Sequence, residues 1–141
     1  MGQLYKSDDE VQQVKEVISG IVCYTFIPPN VNNKNKLMFY AHGGSYALGG
    51  IKSHKAMMTH LAKTTQTKII FVEYRLAPEN PFPKGVNDFF EVYKEFKSKN
   101  ENKKIIVGGD SAGCGIILSF IGKLQNEKIQ MPNAVVLFRL G

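Results

Sequence analysis

The feature that most constrains the fold is an alternation of two apolar patterns along the chain. Five short runs rich in β-branched and aromatic residues predict strands, at 20–29, 36–42, 67–74, 103–109 and 133–138. Between these runs, apolar residues recur at the spacing of an amphipathic helix. The helical stripes are Met57, Met58, Leu61 and Ala62; Val86, Phe89, Phe90, Tyr93 and Phe96; and Ile116, Ile117, Phe120, Ile121 and Leu124. This alternation predicts an α/β fold, a mostly parallel sheet with helices on both faces.

The segment 7–19 fits two patterns. Ser7 and Glu10 match a capping box and would start a helix. The same residues end in "VKEVIS", which could instead pair with the next strand through a turn at Gly20. The strand hairpin is our preferred interpretation. Residues 1–141 are expected to form a single domain, because no repeat, low-complexity tract or linker interrupts them.

The net charge of +6 comes from 18 basic and 12 acidic residues, and the lysines are spread along the chain without runs. Without a nucleic-acid motif, such a diffuse charge does not indicate a nucleic-acid partner. No apolar stretch reaches membrane-spanning length, and the first ten residues lack a signal-peptide core. We therefore expect a cytoplasmic protein with no membrane span. Cys23 and Cys114 lie in apolar segments and are expected to be two buried free thiols rather than a disulfide.

The stretch "VGGDSAGCGII", residues 107–117, contains the pattern G-x-S-x-G around Ser111. In this pattern the serine occupies a sharp, strained turn between a strand and a helix, with its hydroxyl exposed above the sheet. Gly109 and Gly113 are expected because the incoming strand and the outgoing helix nearly touch there. The helix that follows directs its unpaired N–H groups at any anion formed near the serine. The pattern predicts a nucleophilic Ser111.

A second glycine-containing loop, "HGGS" at 42–45, directly follows the predicted strand 36–42. Glycines there allow backbone N–H groups to approach a substrate carbonyl without side chains in the way. His42 stands at the base of this loop, where we expect it to hold the loop geometry rather than to transfer protons. The loop is therefore a candidate oxyanion-binding element that accompanies the serine turn.

Three stretches together carry a family resemblance: "FYAHGGSYALGG", "VEYRLAPENPFPKGVNDF" and "IIVGGDSAGCG". In this order and spacing they resemble the hormone-sensitive-lipase-type esterases of the α/β-hydrolase fold. The resemblance extends from about residue 20 to about residue 138. It implies a serine carboxylesterase that cleaves short-chain acyl esters through an acyl-enzyme, with no metal or organic cofactor.

The resemblance also assigns roles to individual residues. The nucleophile would be Ser111, and the oxyanion hole would be formed by the N–H groups of Gly43, Gly44 and Ala112. The remaining assignments are structural: Tyr74, Arg75 and Glu79 in "YRLAPE" would brace the neighbouring loop, and His42, Gly109, Asp110 and Gly113 would shape the site. The chain departs from the family pattern at Ser45, which replaces a third glycine, and at Cys114-Gly115, which replaces Gly-Asn.

The catalytic partners of Ser111 are the largest departure. In this fold the triad acid and histidine follow the serine along the chain. After Ser111 there is no histidine and a single acid, Glu127, at the far end of the next predicted helix. The acid and histidine are thus expected to be absent, as in an amino-terminal half cut inside the sixth strand. Three explanations stay open: a truncated esterase, a protein that only binds a small ligand or a partner chain, and a half that completes its site with another chain.

The last apolar run also predicts an assembly. Residues 134–140 form a strand with one charge near its end and no internal proline, so its outer edge is unprotected. We expect a homodimer or larger oligomer through this edge.

Overall fold

The computed structural model describes residues 6–30, 35–43, 51–75 and 83–138, the side chain of Ser53 excepted. Within these ranges strands and helices alternate after an initial hairpin. The elements are β1 (Gln12–Ile18), β2 (Ile21–Ile27), β3 (Lys36–Ala41), α1 (Ile51–Thr65), β4 (Lys68–Val72), α2 (Lys84–Lys99), β5 (Lys104–Asp110), α3 (Ala112–Asn126) and β6 (Ala134–Phe138).

The strands form one sheet in the order β1-β2-β4-β3-β5-β6. The neighbours β4-β3, β3-β5 and β5-β6 are parallel, whereas β1 and β2 are antiparallel to their neighbours. From β3 the chain passes first to β4 on one side and later to β5 on the other. The carboxyl ends of β3 and β5 therefore flank the point where the strand order reverses, which is the usual position of a site in such sheets.

Helices cover both faces of this sheet, as predicted. On one face, α2 and α3 bury Phe89, Tyr93 and Phe120 against a strand layer that includes Phe39 and Val107. On the other face, α1 packs Met58 and Ala62 against a layer that includes Tyr40, Ile69 and Phe71. None of the helices in the described ranges is long and apolar enough to span a bilayer.

The amino-terminal segment forms the predicted hairpin, and the alternative helix is not observed. Ile18 pairs with Ile21 at the end of β1 and β2. The two turn residues between them, Ser19 and Gly20, have φ values of 52° and 77°. Positive φ at both central residues gives the turn a twist that matches the twist of the strands.

The cysteines correct one sequence expectation. Cys23 and Cys114 are both free, but only Cys23 is buried, and Cys114 is half-buried. Burial raises the pKa of the Cys23 thiol to about 12. Asp88 on α2 carries a charge, yet it is only 2% exposed. The reason is an ion pair with Arg75, described below.

Candidate active site

Ser111 lies at the turn between β5 and α3, at the carboxyl edge of the sheet. Its φ of 47° and ψ of −117° put a non-glycine residue in a strained backbone conformation that costs of order 1–3 kcal/mol. The residue is exposed. Ala112 begins α3, and the first N–H groups of a helix have no partner inside it. The turn thus presents a hydroxyl next to the N-terminus of a helix.

The two glycines around Ser111 are required by different neighbours. A Cβ at Gly109 would lie 2.5 Å from Cδ1 of Ile117 on α3, so here strand and helix do nearly touch. A Cβ at Gly113 would overlap the carbonyl oxygen of Ala41, which belongs to β3. The turn is therefore packed against the neighbouring strand as well as against its own helix.

Asp110, directly before Ser111, is buried and accepts hydrogen bonds from three residues. Oδ1 accepts from the Tyr40 hydroxyl at 2.9 Å and from the Gly43 N–H at 2.8 Å. Nε2 of His54 lies 3.2 Å from both carboxylate oxygens. Burial acts to raise the pKa of Asp110, but the His54 hydrogen bond and charge, with the bonds from Tyr40 and Gly43, hold it below its usual 3.8. The group is a buried carboxylate at neutral pH.

Gly43 corrects one predicted assignment. Its N–H was expected to help form an oxyanion hole, but that N–H already donates to Asp110 inside the protein. A Cβ at Gly43 would lie 2.9 Å from Cβ of Ser111, so the backbone of this loop passes directly against the serine. Gly43 thus supports the turn rather than offering a donor to substrate. Gly44 and Ser45 lie outside the described residues.

His42 has the contacts of a residue that holds the loop. Its Nδ1 lies 2.9 Å from the carbonyl oxygen of Gly43 and carries the hydrogen, because a carbonyl can only accept. Its ring stacks on Tyr74 with centroids 4.3 Å apart, and the Tyr74 hydroxyl donates to the His42 carbonyl at 2.6 Å. Burial lowers the pKa of His42 from 6.5 to about 4, so the ring is neutral at pH 7.

Arg75 forms an ion pair with Asp88. The guanidinium donates to the carboxylate through Nε and Nη2, at 3.0 Å and 2.7 Å from Oδ1, and the Arg75 backbone N–H donates to Oδ2 at 2.7 Å. These bonds fasten the segment after β4 to α2. The third residue predicted to brace this segment, Glu79, lies outside the described residues.

Among the hydrogen bonds of the described residues, none joins a histidine to Ser111, so none identifies a base for it. Those bonds go from His42 to Gly43, from His54 to Asp110 and from His60 to the Lys6 carbonyl. His54 is the site residue whose role the sequence analysis missed. Its position inside α1, at the first turns after the glycine loop, was the available signal.

A family model for the alpha/beta hydrolase fold matches residues 38–139. The chain belongs to the α/β-hydrolase fold family. The matched range contains the serine turn, the Asp110 cluster and the segment of Tyr74 and Arg75.

Relatives and solved structures show which kind of α/β hydrolase this chain resembles. An esterase of Acinetobacter venetianus is 38% identical over 103 residues, which are 72% of this chain and 34% of the esterase. A carboxylesterase of Mycobacterium tuberculosis is 32% identical over 104 residues, which are 70% of this chain and 33% of that protein. The crystal structure of an esterase from the bacterial hormone-sensitive lipase family matches with a TM-score of 0.90 at 28% identity.

That structural match covers 97% of this chain but 46% of the esterase. The chain thus spans about a third of the curated relatives' length and corresponds to the amino-terminal part of longer esterase structures. The resemblance to hormone-sensitive-lipase-type esterases, drawn from the three sequence motifs, is confirmed.

Proposed function

We propose that this chain carries the nucleophile half of a serine carboxylesterase for short-chain acyl esters, with Ser111 as the nucleophile. The observation that carries the proposal is the strained, exposed conformation of Ser111 at the N-terminus of α3. Strain of this kind persists only where the surrounding structure enforces it, and it concentrates at functional sites. The similarity to esterases supports ester hydrolysis as the reaction.

Ala112 is the described donor best placed to stabilise the oxyanion. Its N–H is the first of α3, whereas the N–H of Cys114 already donates to the Ser111 carbonyl at 3.0 Å. Gly44 is the second proposed donor, and it takes over the part first expected of Gly43. Removing one such donor typically costs about 10²- to 10³-fold in turnover.

The proposed reaction has two symmetrical halves. Oγ of Ser111 attacks the ester carbonyl carbon, and its proton passes to a base. The bond to the alkoxy oxygen breaks, and the base gives the proton to the leaving alcohol. Water then attacks the acyl-serine, the base takes a proton from the water and returns it to Oγ, and the carboxylic acid leaves.

We further propose that this base is a histidine outside the 141 residues, either elsewhere on a longer polypeptide or on another chain. The contacts of the three histidines support this, since each is bonded within the fold at a group other than Ser111. His54 has its Nε2 directed at Asp110. Without a base the serine hydroxyl stays protonated and reacts slowly.

The test is hydrolysis of p-nitrophenyl acetate and butyrate by a full-length protein that contains these 141 residues. Ser111→Ala should lower kcat by about 10⁴-fold or more. Ser119→Ala is the matched control, because Ser119 is an exposed serine on α3 and should leave kcat unchanged.

Two results would contradict the proposal in different ways. Activity retained by Ser111→Ala would place the nucleophile elsewhere. Tight ester binding without any turnover by the wild-type protein would favour the alternative, a protein that only binds its ligand.

A further inference from the structure

We propose that His54 is a positioning residue: by holding both oxygens of the Asp110 carboxylate, it fixes Gly43 and Ser111 relative to each other. The expected effect on catalysis rests on the proposed function, whereas the expected effect on the position of Gly43 does not.

The Asp110 carboxylate joins three parts of the chain. It belongs to β5, it accepts from Tyr40 on β3 and from Gly43 just after β3, and it contacts His54 on α1. Tyr40 and Gly43 both bind Oδ1. Neither of these two donors contacts the other carboxylate oxygen, Oδ2.

His54 supplies the contact to Oδ2. Its Nε2 lies 3.2 Å from Oδ1 and 3.2 Å from Oδ2, and it is the donor described for Oδ2 among residues 6–30, 35–43, 51–75 and 83–138. Nε2 must carry the hydrogen, because both of its partners are carboxylate oxygens. Contact with both oxygens opposes rotation about the Cβ–Cγ bond of Asp110, and this rotation would carry Oδ1 away from Gly43.

The imidazole is itself held in place. His54 is 8% exposed and packs beside the rings of Tyr40 and Phe71, with centroids 6.3 Å and 5.8 Å away. Its helix is anchored to the sheet through Met58. Packing thus holds the His54 ring in place independently of its contact with the carboxylate.

A displacement of the Asp110 carboxylate would move the backbone on both sides of the Ser111 side chain. Asp110 is bonded covalently to Ser111, and the Gly43 backbone passes directly against the Ser111 side chain. A misplacement of 1 Å at such a site can cost about 100-fold in rate. His54 therefore affects the chemistry without touching the substrate.

The experiment uses two variants with the same functional group and different reach. The His54→Gln amide can place its nitrogen near the position of Nε2, whereas the His54→Asn amide is too short. His60→Asn is the control, since His60 lies six residues later on α1 and is exposed. Each variant is made in a full-length protein that contains these 141 residues. Two quantities are measured for each: hydrogen exchange of the Gly43 amide by NMR, and kcat and KM for p-nitrophenyl butyrate.

We expect His54→Asn to speed exchange at Gly43 by about tenfold or more, because the N–H loses a fixed acceptor. We expect kcat to fall by about 100-fold with KM changed much less. His54→Gln should restore most of both quantities, and His60→Asn should match the wild type.

Equal Gly43 exchange in wild type and His54→Asn would overturn the inference. The inference would also be overturned if His54→Asn had a lower melting temperature but an unchanged kcat when assayed well below that temperature. His54 would then be only structural. If the wild-type protein hydrolyses no ester, the proposed function fails, and the Gly43 exchange rates still decide whether His54 positions the loop.

Discussion

His42 should make the stability of the fold depend on pH. Burial lowers its pKa to about 4 from the ordinary 6.5, and the charge of His54 acts in the same direction while the hydrogen bond to Gly43 opposes it. The unfolded chain therefore binds a proton near pH 6.5, and the folded chain does so only near pH 4. Between these values the unfolded state holds more protons, so the free energy of unfolding falls as the pH falls.

The magnitude follows from the two pKa values. The full difference between 6.5 and about 4 corresponds to about 3 kcal/mol. Between pH 7.5 and pH 5 the loss should be about 2 kcal/mol, because titration in the unfolded state is nearly complete there and titration in the folded state has barely begun. Stopping at pH 5 keeps Asp110 out of the comparison, since its pKa lies below 3.8.

Urea unfolding at pH 7.5, 6.5, 5.75 and 5 measures this loss. His42→Gln should be less stable at every pH but should lose about 2 kcal/mol less than the wild type between pH 7.5 and 5. His60→Gln, which changes an exposed histidine on α1, should keep the wild-type dependence. Parallel curves for wild type and His42→Gln would refute the reasoning and would mean that His42 titrates normally in the folded chain.

Other substitutions test the packing and the surface. Gly113→Ala should cost about 1–3 kcal/mol in urea unfolding, because the added methyl group would overlap the Ala41 carbonyl; wild-type stability would refute this. Asp88→Asn should cost about 1–3 kcal/mol, since it weakens the buried acceptor of Arg75; an unchanged urea midpoint would show the ion pair to be dispensable. On the edge strand β6, Val136 is 37% exposed, and we expect wild-type self-association by light scattering that Val136→Lys abolishes; a wild-type monomer at micromolar concentration would contradict it.

The sequence predicted β2 to β6 well because each is a short run of apolar, β-branched and aromatic residues. The runs at 36–42 and 103–109 correspond to Lys36–Ala41 and Lys104–Asp110. The first helix was predicted less well. Its apolar stripe was recognised only from Met57, whereas the helix begins at Ile51. Its first turns carry mainly polar side chains, so periodicity could not reveal them.

The site was predicted in its parts but not in its connections. The G-x-S-x-G pattern located Ser111 and its turn, because close packing demands glycine on either side. The pattern could not show that the Gly43 N–H binds Asp110, or that His54 reaches the same carboxylate from 56 residues away. Asp88 was missed for the same reason: its partner, Arg75, comes from outside its helix. Contacts between distant segments leave no periodic signal.

The most direct test of the central claim is the rate at which a fluorophosphonate labels Ser111, followed by intact mass. The account predicts one adduct per chain, at Ser111. The adduct should form rapidly in a full-length protein that contains these residues and slowly in the 141-residue chain. Ser111→Ala should abolish the adduct and Ser119→Ala should not. Rapid, stoichiometric labelling of the 141-residue chain would contradict the account, because the base would then have to come from His54, His60 or a second copy of this chain.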